Sequence, residues 1–191
     1  MTIIHLITGG QRSGKSCYAE QLALRLSSHP IYMATAHVSD GEMAARVAHH
    51  QQRRGQEWTT IEEECCLSKH DLTGHVVLID SLTTWLSNVM LAQHFPSSAK
   101  ACGKTVDENE KKDDDLSWHD CVLTWICSEF DRLISQDATF IFVTDEVGMG
   151  GISGNALQRR FTDLQGSFNQ YVAKRADEVV LMVSGIPMKV K

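Results

Sequence analysis

Ile3-Ile4-His5-Leu6-Ile7-Thr8-Gly9-Gly10-Gln11-Arg12-Ser13-Gly14-Lys15-Ser16 is the stretch on which the reading of this chain turns. An apolar run breaks at Gly9 into a loop that matches G-x-x-x-x-G-K-[ST] in full. The glycines of such a loop let successive backbone N–H groups converge on one anion. Lys15 is expected to reach the β- and γ-phosphates of a nucleotide, and the Ser16 hydroxyl to take a position on Mg²⁺. Gly9, Gly10, Gln11, Arg12, Ser13, Gly14, Lys15 and Ser16 are therefore read as a nucleotide cradle. The residues from Cys17 to Leu26 read as a helix with Ala19, Leu22, Ala23 and Leu26 on one face, its N-terminus aimed at the same phosphates. An ordinary glycine-rich turn between strand and helix would not need Lys-Ser at its end.

Outward from this loop the chain alternates strands and helices. Ile31–Thr35, Val76–Asp80, Thr139–Thr144 and Glu178–Val183 read as strands, and Met188–Lys191 as a short sixth. Helices are expected over Glu42–Arg54, Ser81–Leu91, Leu116–Ile134 and Asn155–Ala176. The run Val76–Asp80 is apolar until its last residue, as in a strand buried on both faces of a parallel sheet. The pattern predicts an α/β fold of the P-loop NTPase type, three layers deep, with a mostly parallel sheet and helices on both faces. With 191 residues the chain is read as a single domain able to bury ~70% of its unfolded surface. The stretch at about 96–117 turns to Ser, Lys, Asp and Glu and is read as a polar insertion.

The net charge of −6 argues against a general nucleic-acid binder. No apolar run is long enough to span a membrane, and the strand and P-loop follow the N-terminus with no signal-peptide pattern before them. Six cysteines without a C-x-x-C pair read as reduced thiols in a cytoplasmic protein.

In a parallel sheet, ligands gather outside the carboxyl ends of the strands. That edge should collect the P-loop, Thr35-Ala36-His37, Asp80-Ser81 and Thr144-Asp145-Glu146. Asp80, at the end of an apolar strand, is expected to hold Mg²⁺ opposite Ser16; it could equally cap the helix that follows, and the two roles are compatible. On the helix Glu42–Arg54, residues Glu42, Arg46, His49 and Arg53 fall within about a 60° arc. Such a stripe is either a solvated face or a phosphate site. For the second, a neutral imidazole between cations keeps a lone pair for nucleophilic attack. His50, nearer the apolar side, reads more as a packed histidine, so His49 is preferred as the nucleophile.

The P-loop, Tyr32-Met33-Ala34-Thr35-Ala36, Glu42-Met43-Ala44-Ala45-Arg46-Val47-Ala48-His49-His50, Trp58–Glu62, Thr144–Gly150, Ala176–Val179 and Val183–Ile186 occur in an order that resembles one family. It is that of the bifunctional adenosylcobinamide kinase / adenosylcobinamide-phosphate guanylyltransferases of cobalamin biosynthesis. The resemblance covers nearly the whole chain except the polar insertion.

It implies phosphorylation of the aminopropanol hydroxyl of adenosylcobinamide by ATP or GTP. It then implies transfer of GMP from GTP, through a guanylylated His49, onto adenosylcobinamide phosphate. It further implies GTP contacts from Ala34, Thr35 and Ala36, from His50, Gln51, Gln52 and Arg53, and from Glu62 and Asp80, together with a trimeric homo-oligomer. Glu62 could accept the N1–H and 2-amino group of guanine, or simply belong to the acidic surface run Glu62-Glu63-Glu64. The family pattern has Asn where Asp145 stands, which brings an extra carboxylate near the phosphates and leaves open whether it weakens nucleotide binding or draws Mg²⁺. Two other readings of the P-loop remain: a simple small-molecule kinase with no covalent intermediate, and a nucleotide-switched binding protein.

Overall fold

A computed structural model describes residues 1–36, 55–91 and 114–191. Over these, the strands are β1 (Ile3–Gly9), β2 (Ile31–Ala34), β3 (Thr59–Glu62), β4 (Val76–Asp80), β5 (Thr139–Val143), β6 (Glu178–Val183) and β7 (Ile186–Lys189). The helices are α1 (Lys15–Leu26), α2 (Leu82–Leu91), α3 (Asp114–Ile134) and α4 (Ala156–Arg175), with 3₁₀ turns at Leu67–Lys69 and Val147–Gly150. The seven strands form one sheet in the order β3-β2-β4-β5-β1-β6-β7. All pairings are parallel except β6 with β7, an antiparallel hairpin.

Alternation along the strands divides the apolar side chains between two faces. Phe140 and Phe142 of β5, with Val77 and Ile79 of β4, join the larger core under α2, α3 and α4. Ile141 and Val143, with Leu78 and Ile7, face the smaller core under Ala19 and Ala23 of α1. Helices therefore cover both faces, as the pattern predicted. The larger core is aromatic: Phe130 lies 5.2 Å from Phe142 and 6.1 Å from Phe168, and Trp85 lies 5.8 Å from Phe168. Each of these buried rings contributes about 1.5–3 kcal/mol through burial.

Several boundaries differ from expectation. Helix α1 begins at Lys15 rather than Cys17, because Gly14 takes φ 96° and turns the chain into the helix at once. Its buried face is Lys15, Ala19, Glu20 and Ala23, while Leu26 is exposed. Helix α3 begins at Asp114, inside the stretch read as insertion. The last strand is Ile186–Lys189, an exposed edge. β3 was not expected at all, because Thr59-Thr60-Ile61-Glu62 is an outer strand with little apolar signal. The helix expected over Glu42–Arg54, and with it His49, His50, Gln51, Gln52 and Arg53, lies outside the described residues, as does most of the polar insertion.

Candidate active site at the carboxyl edge of the sheet

The strand order places β5 between β1 and β4, so the loop leaving β5 stands between the P-loop and Asp80. The P-loop is fixed from behind. A Cβ on Gly9 (φ 148°) would lie 2.5 Å from the carbonyl oxygen of Met182 in β6, so only glycine fits there. The turn between β6 and β7 braces the far side, where the Gly185 N–H donates to Ser13 O at 2.9 Å. A Cβ on Gly14 would come within 3.3 Å of Gly185 Cα. Ser13 Oγ is buried and has no hydrogen-bond partner among the described residues. An orphaned hydroxyl in the wall of this loop is a polar atom that a bound phosphate or its water would satisfy. Gln11 and Arg12 are exposed at the crest, with Arg12 at φ 57°.

Lys15 opens α1 with its ammonium buried. Its Nζ donates to Gly10 O at 2.7 Å and lies 2.7 Å from Asp145 Oδ1. Asp145 is held through its backbone: its N–H donates to Thr83 Oγ1 at 2.9 Å, and its carbonyl accepts from Asn169 Nδ2 at 3.1 Å. Next to it, Glu146 Oε1 accepts from Thr8 Oγ1 at 2.6 Å, and the Glu146 N–H donates to Gly9 O at 3.1 Å. Behind this loop is a buried polar network. Thr144 Oγ1 donates to Asn169 Oδ1 at 2.7 Å, and Gln165 Nε2 donates to both Thr144 Oγ1 and Asn169 Oδ1.

These supports escaped the sequence reading. The available signal was a pair of amides four residues apart on the inward face of an amphipathic helix, where polar side chains are seldom buried without a task.

Asp80 ends β4, paired in register with Ala34 of β2 and Val143 of β5. Its Oδ2 accepts from Tyr32 Oη at 3.2 Å. The residue that caps α2 is Ser81, whose Oγ accepts from the Thr84 N–H at 3.2 Å, so the capping alternative for Asp80 is taken by its neighbour.

Thr35 is fully buried, and its hydroxyl is engaged with Ser81, donating to Ser81 O and accepting from Ser81 N, both at 2.9 Å. Its carbonyl accepts from Asn88 Nδ2 at 2.6 Å. Thr35 thus anchors the exit of β2, and Ala36 beyond it is half-buried at the same edge. Glu62 is exposed and pairs in register with Ala34. Four strand positions separate it from β1, roughly 19 Å at ~4.8 Å per strand, so it lies far along the edge from Lys15.

The donors fit a hard divalent cation. A serine hydroxyl at Ser16 and a carboxylate at Asp80 are oxygen ligands of the kind Mg²⁺ takes alongside substrate phosphates. Among the described residues no group of three or more His, Cys, Asp or Glu is placed to hold a metal. The described cysteines form no disulfide with one another. Burial pushes the Cys65 and Cys127 thiols up to about 11, so they sit in the fold as neutral thiols. Among the described residues no helix is long and apolar enough to cross a membrane.

A mostly parallel sheet with a phosphate loop after its first strand, a buried loop lysine and an acidic strand end two strands away define a P-loop nucleotide-binding protein. A family model described as cobinamide kinase / cobinamide phosphate guanyltransferase matches residues 5–190. The chain belongs to that family. It is 37% identical over 194 residues to the bifunctional adenosylcobalamin biosynthesis protein CobU of Escherichia coli, covering 97% of this chain and 98% of that one. It is 34% identical to the protein of the same name from Salmonella typhimurium and 33% identical to the bifunctional adenosylcobalamin biosynthesis protein CobP of Pseudomonas aeruginosa, in each case over 97% of this chain. The relatives are themselves covered to 98% and 96% of their lengths, respectively.

Proposed function

We propose that this chain is a cytoplasmic, single-domain adenosylcobinamide kinase and adenosylcobinamide-phosphate guanylyltransferase. One observation carries the reading: the family match runs from residue 5 to residue 190, so it takes in the P-loop, His49 and the Asp145 loop together.

In the kinase step the loop N–H groups and Lys15 hold the β- and γ-phosphates of ATP or GTP. The γ-phosphoryl passes to the aminopropanol hydroxyl of adenosylcobinamide, breaking the β–γ P–O bond and releasing the nucleoside diphosphate. Mg²⁺, held by Ser16 and Asp80, would neutralise phosphate charge when bound. In the second step His49 attacks the α-phosphorus of GTP. The new N–P bond forms as the bond to pyrophosphate breaks, and Lys15 stabilises the departing pyrophosphate. The phosphate of adenosylcobinamide phosphate then displaces the imidazole, giving adenosylcobinamide-GDP and a restored histidine.

The route of the chain supports this assignment, since it leaves β2 at the carboxyl edge fifteen residues before His49. In this reading Ala34, Thr35, Ala36, His50, Gln51, Gln52 and Arg53 line the nucleotide path. Glu62, far along the edge from the P-loop, reads the guanine. A homo-oligomer, a trimer by resemblance, fits an outer strand β7 whose Ile186 and Met188 are exposed.

Incubation with GTP labelled at the α-phosphate tests the covalent step. Wild-type protein is expected to retain an acid-labile, alkali-stable label that His49→Ala loses. Absence of label on wild-type protein would overturn the guanylyltransferase half and leave a simple kinase, provided ATP still phosphorylates adenosylcobinamide.

A further inference from the structure

Lys15 and Asp145 are brought together by sheet order alone, β5 lying beside β1. The Lys15 side chain is 8% exposed and that of Asp145 33%. Among the described residues Lys15 is the one partner of the Asp145 carboxylate, whereas its backbone is tied on both sides, to Thr83 and to Asn169. The main chain that carries the carboxylate therefore stays in place when the lysine changes partner.

A nucleotide in the P-loop requires such a change. An ammonium has three donors, and Gly10 O and Asp145 engage two of them. Phosphate oxygens that draw Nζ away leave Asp145 facing polyanionic charge at close range, in a setting where charges interact several times more strongly than in bulk water. A divalent cation bound to those phosphates reverses the sign of that contact.

We propose that Asp145 makes nucleotide binding conditional on a divalent cation: without nucleotide it holds Lys15, it repels metal-free nucleotide, and it faces the cation, directly or through one water, once the phosphates have claimed the lysine. The proposal rests on the P-loop reading and goes beyond it by assigning metal selectivity to a residue outside the G-x-x-x-x-G-K-[ST] motif.

The experiment is equilibrium binding of GTP to the full chain, in excess EDTA and in excess Mg²⁺, for wild-type, Asp145→Asn and Asp145→Ser, with circular dichroism to confirm folding. The wild type is expected to bind far more weakly in EDTA. Asp145→Asn should tighten metal-free binding by about ten-fold or more, as removal of one close like charge predicts. In Mg²⁺ it should change affinity by less than about three-fold or weaken it, so the ratio of the two constants collapses. Asp145→Ser should behave in the same direction. An unchanged ratio in both variants would overturn the proposal while leaving the nucleotide reading intact. Failure of the wild type to bind GTP even with Mg²⁺ would overturn both.

Discussion

Two carboxylates, one just after the outer strand β3 and one just after the central strand β5, show how one kind of group is fastened in one place and exchangeable in another. Glu63, just after β3, is closed in by its own neighbourhood. Its Oε1 accepts from the Cys65 and Cys66 N–H groups at 3.1 and 3.0 Å, and its Oε2 meets Lys69 and lies 3.4 Å from His70 Nε2. Every partner falls within seven residues of it. Asp145 has a single described partner for its carboxylate, and that partner is 130 residues away in the sequence. A carboxylate saturated by local backbone donors is a fastening. One that depends on a single lysine, itself proposed to serve the phosphates, can exchange that partner.

The largest way to break this comparison is Lys15→Met. It removes the group proposed to stabilise phosphate charge during transfer, and loss of one such donor typically costs about 10²–10³ in kcat. Single-turnover phosphorylation of adenosylcobinamide by ATP should fall by at least that factor. The thermal transition should move by only a few degrees, because Asp145 is partly exposed and can be rehydrated. Near-normal turnover would show that the lysine found beside Asp145 is not the one that works on the phosphates.

The contrast also explains what could be read from the sequence. The P-loop and strands β4, β5 and β6 were legible because buried strands leave apolar runs, here ended by Gly9, Asp80, Asp145 and a turn at Ser184-Gly185. β3 was not, since an outer strand needs no apolar run, and Thr59-Thr60-Ile61-Glu62 carries one half-buried isoleucine. The antiparallel pairing of β7 was hidden for the same reason.

At the site, Lys15 followed from the motif, and resemblance marked Asp145 as unusual. No spacing rule couples the two, however; only the insertion of β5 between β1 and β4 does so. Asn169 and Gln165 were concealed in the long helix α4, where their task emerges only once Thr144 is seen beside them. His49 remains a sequence-based assignment.

A second prediction concerns Glu63 itself. Burial raises its pKa, but the Lys69 contact, the two backbone N–H groups and His70 together outweigh that and lower it from 4.5 to about 2. A folded value below the unfolded one means the stabilisation is fully present above pH 4.5 and disappears as pH falls towards 2. Glu63→Ala should cost about 1–3 kcal/mol at neutral pH, since it strands two backbone donors. It should also flatten the dependence of urea-unfolding stability on pH between about 5 and 2. Parallel wild-type and variant curves across that window would show that Glu63 is not the fastening described.

The smallest effect separates the cation from the backbone at Glu63. Lys69 is 58% exposed, and its contact with Glu63 is open to water, which replaces most of what an exposed ion pair supplies. Lys69→Met should therefore shift Tm by no more than about 2 °C, although Lys69 is the strongest single influence holding the Glu63 pKa down. The acid limb of the stability curve should begin at a somewhat higher pH, because Glu63 would protonate earlier. A drop as large as that of Glu63→Ala would mean that Glu63, like Asp145, depends chiefly on one lysine. The distinction between a locally saturated carboxylate and an exchangeable one would then rest on the distance along the chain to that lysine, and no longer on the number of its donors.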